Sequence, residues 1–190
     1  MTEQQAVSML LSKAKGEVGY IEKKSRANLD DKKLNAGRGN YTKYARDLYP
    51  KLQGSAWCDM YVDWVFVKVF GLEVAMKMLG GFSAYTPTSA QYFKNIGRQV
   101  VRQNGKWAIT PQPGWVIFFK NSSRICHTGL VTYVDGVYVY TNEGNTSSGK
   151  DVIPNGGSVC EKQYTLTNQR IACFGNPDFK LAKDIVYVAS

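Results

Sequence analysis

Four residues of this chain have the types and order needed for acyl-transfer chemistry: Cys58, His127, Glu143 and Asn145. His127 is the only histidine, so any mechanism that needs an imidazole base must use it. Cys58 falls in the first turn of an expected helix, where the free N–H groups and the dipole favour an anion. A thiol there is expected to have a lowered pKa and to supply a thiolate nucleophile. His127 opens the run His127-Thr-Gly-Leu-Val-Thr, which reads as a strand. Glu143 is expected at or just beyond the end of the next strand. Two adjacent antiparallel strands would bring its carboxylate beside the imidazole, fixing the tautomer and stabilising imidazolium. Asn145, two residues on, could orient the same ring or bind substrate.

The positioning elements follow from periodicity. Val7, Leu10, Leu11, Ala14 and Val18 keep helical spacing, and Gly16 and Gly19 mark that helix's end. Residues 25–40 are polar and rich in Gly and Asn, and read as a loop. Asn40 is placed to cap a short helix carrying Tyr41, Tyr44, Ala45 and Leu48, which Pro50 stops. After Gly54-Ser55, Trp57, Met60, Tyr61, Trp64, Val65 and Val67 to Val69 predict a second strong helix up to Gly71. Two shorter helices are expected at 73–79 and 88–96. The period then changes. Residues 115–119, 128–134 and 137–141 are rich in β-branched and aromatic residues, and Asp135-Gly136 joins the last two as a hairpin. Further strands are expected at 158–166 and 170–174. Helices first and antiparallel strands second predict an α+β fold.

A length of 190 residues suits a single domain, and neither an internal repeat nor a low-complexity linker divides it. The twelve Tyr and four Trp are expected to pack with their polar ends at the surface. Lys and Arg outnumber Asp and Glu, 24 to 15, for a net charge of +9. The charges are scattered, without a basic tail or a nucleic-acid motif. That favours attraction to a polyanion such as a bacterial wall over nucleic-acid recognition. The longest apolar stretch, residues 61–70, is broken by Asp63 and Lys68, which excludes a membrane span. Met1-Thr-Glu-Gln-Gln5 lacks a basic region followed by an apolar one, so no secretory signal is expected and the protein is expected to be made in the cytoplasm. None of Cys58, Cys126, Cys160 and Cys173 forms a Cys-x-x-Cys pair. Four free thiols are expected in a reducing compartment.

Ala56-Trp57-Cys58-Asp59-Met60-Tyr61-Val62-Asp63-Trp64, then Pro113-Gly114, Ile117-Phe118-Phe119, His127-Thr128-Gly129-Leu130-Val131 and Glu143-Gly144-Asn145-Thr146-Ser147 resemble the CHAP family. These are cysteine, histidine-dependent amidohydrolases/peptidases of the papain-like class, typical of phage endolysins and bacterial wall hydrolases. The resemblance spans residues 15–180. It implies a papain-like fold with N-terminal helices packed on a C-terminal antiparallel sheet. It also implies Cys58 as nucleophile, His127 as base, Glu143 as third member and Asn145 assisting. The implied substrate is peptidoglycan, cut at the glycan–peptide amide or within the peptide. Gln53, by analogy with papain-like enzymes, is the candidate oxyanion donor, and Trp57 is a candidate on the same footing. One departure stands out: the family usually has an acidic residue after the Pro-Gly pair, and this chain has Trp115.

Beside the hydrolase stands a second expectation, an inactive wall-binding module on the same scaffold. A zinc site of Cys58, His127 and other thiols lacks the paired spacing of zinc ligands. No cofactor is required. Calcium enters only because some relatives bind it; Asp30, Asp31, Asp59 and Asp63 are the nearby acids, form no EF-hand pattern, and read as solvated loop and helix-surface residues. The expected partners are peptidoglycan and anionic wall polymers, and the expected state is a monomer without a separate wall-binding domain. It would act at the wall after release or delivery.

Overall fold

The apolar spacing of the first half produces five α-helices in the computed structural model, which describes residues 1–184. Helix α1 (Glu3–Glu17) starts at a capping box: Thr2 Oγ1 accepts the Gln5 N–H, and the Gln5 side chain accepts the Thr2 N–H. Its buried stripe is Ala6, Leu10, Ala14 and Glu17, with Val7 only partly buried beside it. The stripe is thus rotated from the Val7–Leu11–Val18 register. The small alanines let α1 lie close to the third helix, a preference that only the packing partner reveals. Helix α2 (Lys43–Leu48) is capped by Thr42, whose Oγ1 accepts the Ala45 N–H at 3.1 Å. Asn40, expected as the cap, instead takes a left-handed conformation at φ 53° two residues earlier. Pro50 opens a 3₁₀ turn (Pro50–Leu52).

Helix α3 (Cys58–Phe70) is buried without a break from Cys58 to Phe66, so it is the central helix. Helices α4 (Leu72–Leu79) and α5 (Thr86–Asn95) follow. Tyr20, Tyr44, Trp57, Tyr61 and Trp64 form a buried aromatic cluster around α2 and α3, with neighbouring ring centroids 5.0–6.2 Å apart. The expectation that these polar ends would reach the surface fails here. Tyr20 donates to the Leu29 carbonyl and Tyr44 to Glu17, so the hydroxyls are satisfied inside.

Eight strands follow: β1 (Gln99–Val100), β2 (Arg102–Gln103), β3 (Lys106–Trp107), β4 (Val116–Lys120), β5 (Ile125–Val134), β6 (Tyr138–Thr146), β7 (Ser158–Thr165) and β8 (Ile171–Gly175). Six form one antiparallel sheet in the order β1-β8-β4-β5-β6-β7, while β2 and β3 pair separately. Two-residue strands such as β1 to β3 are too short to leave a period in the sequence. Val116, Phe118, Leu130 and Val159 face the helices. Ile117, Phe119, Val131, Val139, Tyr164 and Phe174 build a second core on the opposite face, with Trp107, Trp115 and Val152 packed in it. Burial on both faces explains why residues 115–119 are apolar without alternation. It also accounts for Trp115 after Pro113-Gly114 as a core residue. The α+β architecture, helices on an antiparallel sheet, agrees with the CHAP fold.

Candidate active site

The site forms where the sheet opens. β5 and β6 pair from Leu130↔Asn142 toward their hairpin, and no ladder partner joins His127 to Gly129 with β6. Val131 N–H donates to the carbonyl of Trp115, the residue before β4, so odd residues of β5 turn their backbone groups toward β4 and even ones toward β6. The Thr128 N–H therefore faces the gap, where it favours the Cys58 thiolate. Helix α3 packs against both β5 and β6. Gly144 sets the approach: a Cβ there would meet Tyr61 Cβ at 2.6 Å, so only glycine lets β6 lie this close to α3. Tyr61 also donates to Asn142 Oδ1 of β6, and Asn142 Nδ2 donates to the Ala14 carbonyl, tying α1, α3 and β6 together.

Cys58 is the first residue of α3 and 5% exposed. No side chain caps this helix, so its first N–H groups remain free for the thiol. The N–H groups of Asp59, Thr128 and Cys58 favour the thiolate, but burial and the neighbouring Asp59 carboxylate outweigh them. The thiol is pushed up to about 12. This corrects the expectation of a lowered pKa: the helix-start effect is present and desolvation is larger. The resting group is a thiol, and a base must take its proton.

His127 and Glu143 stand side by side, both fully buried, and no hydrogen bond joins either of them to Cys58. Nε2 of His127 lies 2.8 Å from Glu143 Oε2. Glu143 also accepts from Thr141 Oγ1 at 2.6 Å and from the Tyr164 hydroxyl at 3.3 Å. Phe119 stacks on the imidazole, centroids 5.8 Å apart. With the carboxylate holding the proton on Nε2, Nδ1 presents a lone pair, and Nδ1 has no hydrogen-bond partner among the described residues. Gly129 makes the pairing possible: a Cβ there would sit 2.5 Å from Glu143 Cγ and 3.0 Å from the Asn142 carbonyl oxygen. Glu143 lies within β6 rather than at its end, and His127 within β5.

Asn145 is fully buried and left-handed (φ 55°), in the bulge where the β6–β7 register shifts between Glu143 and Thr146. Its Oδ1 accepts the Gly157 N–H at 3.3 Å, its backbone carbonyl accepts the Gly156 N–H, and its Nδ2 has no partner among the described residues. It holds the 145–157 loop and makes no hydrogen bond to the imidazole. Gln53 is spent elsewhere: its Oε1 accepts the Thr42 N–H and its Nε2 donates to the Thr42 carbonyl, so it clamps the segment before α2. The Trp57 side chain is fully buried in the aromatic cluster, and its indole N–H donates to Glu22 Oε2 at 2.9 Å. It offers no face to a substrate.

The four acids considered for calcium do not converge. Asp30 pairs with Arg46, and Asp31 accepts the Lys33 and Leu34 N–H groups. Asp59 and Asp63 are buried rather than on the helix surface; Asp59 accepts from Ser89 and Asp63 from Tyr49. Among the described residues no cluster of three or more His, Cys, Asp or Glu could hold a metal ion. All four cysteines are free thiols, and Cys126 lies 4.0 Å from an Arg170 nitrogen. Thr141, Tyr164 and Glu22 escaped the sequence reading. Thr141 was legible, two residues before Glu143 on the same strand face; Tyr164 needed the β6–β7 pairing and Glu22 the chain's return to Trp57.

A family model described as the CHAP domain matches residues 50–145, just over half of the chain, a span that contains Cys58, His127, Glu143 and Asn145. No curated protein matches. The solved structure of Ly7917 superimposes with a TM-score of 0.53 at 14% identity, a likeness of fold, over 91% of this chain. This chain spans 62% of the length of Ly7917.

Proposed function

The chain belongs to the CHAP domain family, and from that premise we propose that it hydrolyses an amide bond of peptidoglycan with Cys58 as nucleophile. The observation that carries the reading is the buried His127–Glu143 pair with an unpartnered Nδ1, on the two strands against which the Cys58 helix packs. Nδ1 takes the Cys58 proton, and the sulfur attacks the amide carbonyl carbon. The Cys58 N–H stabilises the oxyanion that forms. Glu143 stabilises the imidazolium, which gives its proton to the departing amine as the C–N bond breaks. Water, deprotonated by the same nitrogen, then cleaves the thioester and restores the thiol. Two carbonyl positions remain open in this reading, the glycan–peptide amide and a bond within the peptide. Asn145 acts by holding the loop at the site's edge.

In the same reading the enzyme is a phage or prophage endolysin, acts on the wall after release, requires no cofactor, and works as a monomer. Its +9 charge supplies attraction to anionic wall polymers. Mass spectrometry of digested, purified peptidoglycan tests the reaction. New amino or carboxyl termini that vanish with Cys58→Ala support it, with a free stem-peptide N-terminus indicating an amidase. An unchanged digest overturns it. One observation favours the alternative, an inactive wall-binding module: the resting thiol is held protonated by burial. Iodoacetamide separates the two, since an active site has one thiol whose alkylation abolishes hydrolysis.

A further inference from the structure

Glu22 is a buried carboxylate without a counter-charge. It is 4% exposed and forms no ion pair among the described residues. Among the described residues its one side-chain hydrogen bond is the 2.9 Å donation from the Trp57 indole to Oε2, while Oε1 makes none and is not among the fully buried polar atoms. A carboxylate removed from water is costly unless a cation or several donors compensate it. Glu17 has Lys13, Lys43 and Tyr44, and Glu143 has His127, Thr141 and Tyr164; Asp59 and Asp63 also lack a cation, but each accepts a hydroxyl and burial pushes each toward the neutral acid.

Its position is also particular. Trp57, which holds it, immediately precedes Cys58. Its backbone N–H donates to the Gly157 carbonyl at 2.8 Å, and a Cβ on Gly157 would come within 3.1 Å of Glu22 Cδ. The N–H of that same Gly157 donates to Asn145 Oδ1, and Asn145 Nδ2 is fully buried with no partner among the described residues. A lone negative charge and an idle amide donor are thus joined through one glycine, between the residue before the nucleophile and the strand that carries Glu143. Neither is used in the catalytic steps.

We propose that Glu22 is an ammonium-binding subsite, and that it selects substrates with a free primary amine near the scissile amide, with Asn145 Nδ2 donating to a neighbouring carbonyl. The inference rests on the peptidoglycan hydrolase reading, in which the amine belongs to a stem peptide not yet cross-linked. The charge of Glu22, more than its shape, does the selecting. Glu22→Gln keeps an acceptor for the Trp57 indole at the same size and removes the charge.

The test compares soluble stem-peptide muropeptides with free amines and the same fragments N-acetylated. Wild-type protein is expected to cleave the acetylated fragments about 30- to 4,000-fold less efficiently through a raised KM, the range for losing one partner of a buried charge pair. Glu22→Gln is expected to lose that discrimination while keeping kcat and its fold by circular dichroism. Equal cleavage of both fragments by wild-type protein overturns the proposal, whether or not the variant folds, and so does a folded Glu22→Gln that still discriminates. Binding of both fragments to Cys58→Ala protein separates this from failure of the hydrolase reading. No cleavage with preferential binding of the free amine sinks hydrolysis alone, and equal binding sinks the ammonium site.

Discussion

Gly129→Ala inserts a single methyl group between the base and its carboxylate. The new Cβ would lie 2.5 Å from Glu143 Cγ, 3.0 Å from the Asn142 carbonyl oxygen and 3.4 Å from Glu143 Cα. Ordinary carbon–carbon contact is about 3.5–4.0 Å, so the overlap with Cγ is about 1 Å. Glu143 has little freedom to yield, since it is fully buried and its two oxygens hold His127, Thr141 and Tyr164. A 1 Å retreat would stretch the 2.8 Å contact to Nε2 beyond hydrogen-bond length. Overpacking of this kind costs about 1–3 kcal/mol, a fall of roughly 2–4 °C in Tm per kcal/mol at this chain length. Activity should fall more, between the ~100-fold typical of a 1 Å misplacement and the ~10,000-fold seen when a base loses its orienting carboxylate in another hydrolase. Release of soluble fragments from peptidoglycan, alongside thermal melting, measures both. Gly16→Ala is the control: nothing lies within 4 Å of its new Cβ, and it should stabilise α1 slightly without touching the rate. Gly129→Ala with a wild-type rate would refute the claim that this glycine exists to let Glu143 reach His127.

Burial holds the Cys58 thiol near 12, so its alkylation by iodoacetamide in wild-type protein should still be climbing above pH 8; a plateau already reached at pH 6 would show a pre-formed thiolate. Burial raises the folded-state pKa of Asp59, as it does that of Asp63, where Asp59's own charge adds to it. Between the unfolded carboxylate pKa, about 3.9, and the raised folded values, the unfolded chain has lost protons that the folded one keeps. Stability should therefore fall as pH rises through that window, and Asp63→Asn should flatten the fall in urea titrations; stability that rises from pH 4 to 7 through this pair would contradict it. His127→Ala should lower hydrolysis by several orders of magnitude with its fold retained, because the sequence holds no second imidazole. Binding of Cys58→Ala protein to walls should weaken steeply between low and high salt, as pelleting assays can show; salt-independent binding would point to a shaped receptor pocket instead.

The major elements were legible because their periods are long: α1, α3 and β4 to β8 each repeat a pattern over five residues or more. The caps were less so. Asn40 and Thr42 are both competent N-cap types, and only the chain's return to Lys23, through the Tyr41–Lys23 bridge, puts Thr42 at the start of α2. Asp59 and Asp63 looked like surface acids because a helix pattern identifies the apolar face but not whether the other face is also covered. Gln53 matched its expected place in sequence, but side-chain partners are three-dimensional, and Thr42 took both ends of its amide.

For the candidate catalytic groups, sequence alone offered identity and number: one imidazole, and Glu143, which strand pairing could bring beside it and the family resemblance named as its partner. Tertiary structure decided their condition. It opened the sheet between β5 and β6, turned the Thr128 N–H toward the thiol, and shut the groups away from water. Residue type sets what a group can do, but its protonation and partners depend on solvent exclusion and on atoms distant in the chain. That is why the candidate nucleophile could be read from the sequence and its raised pKa could not.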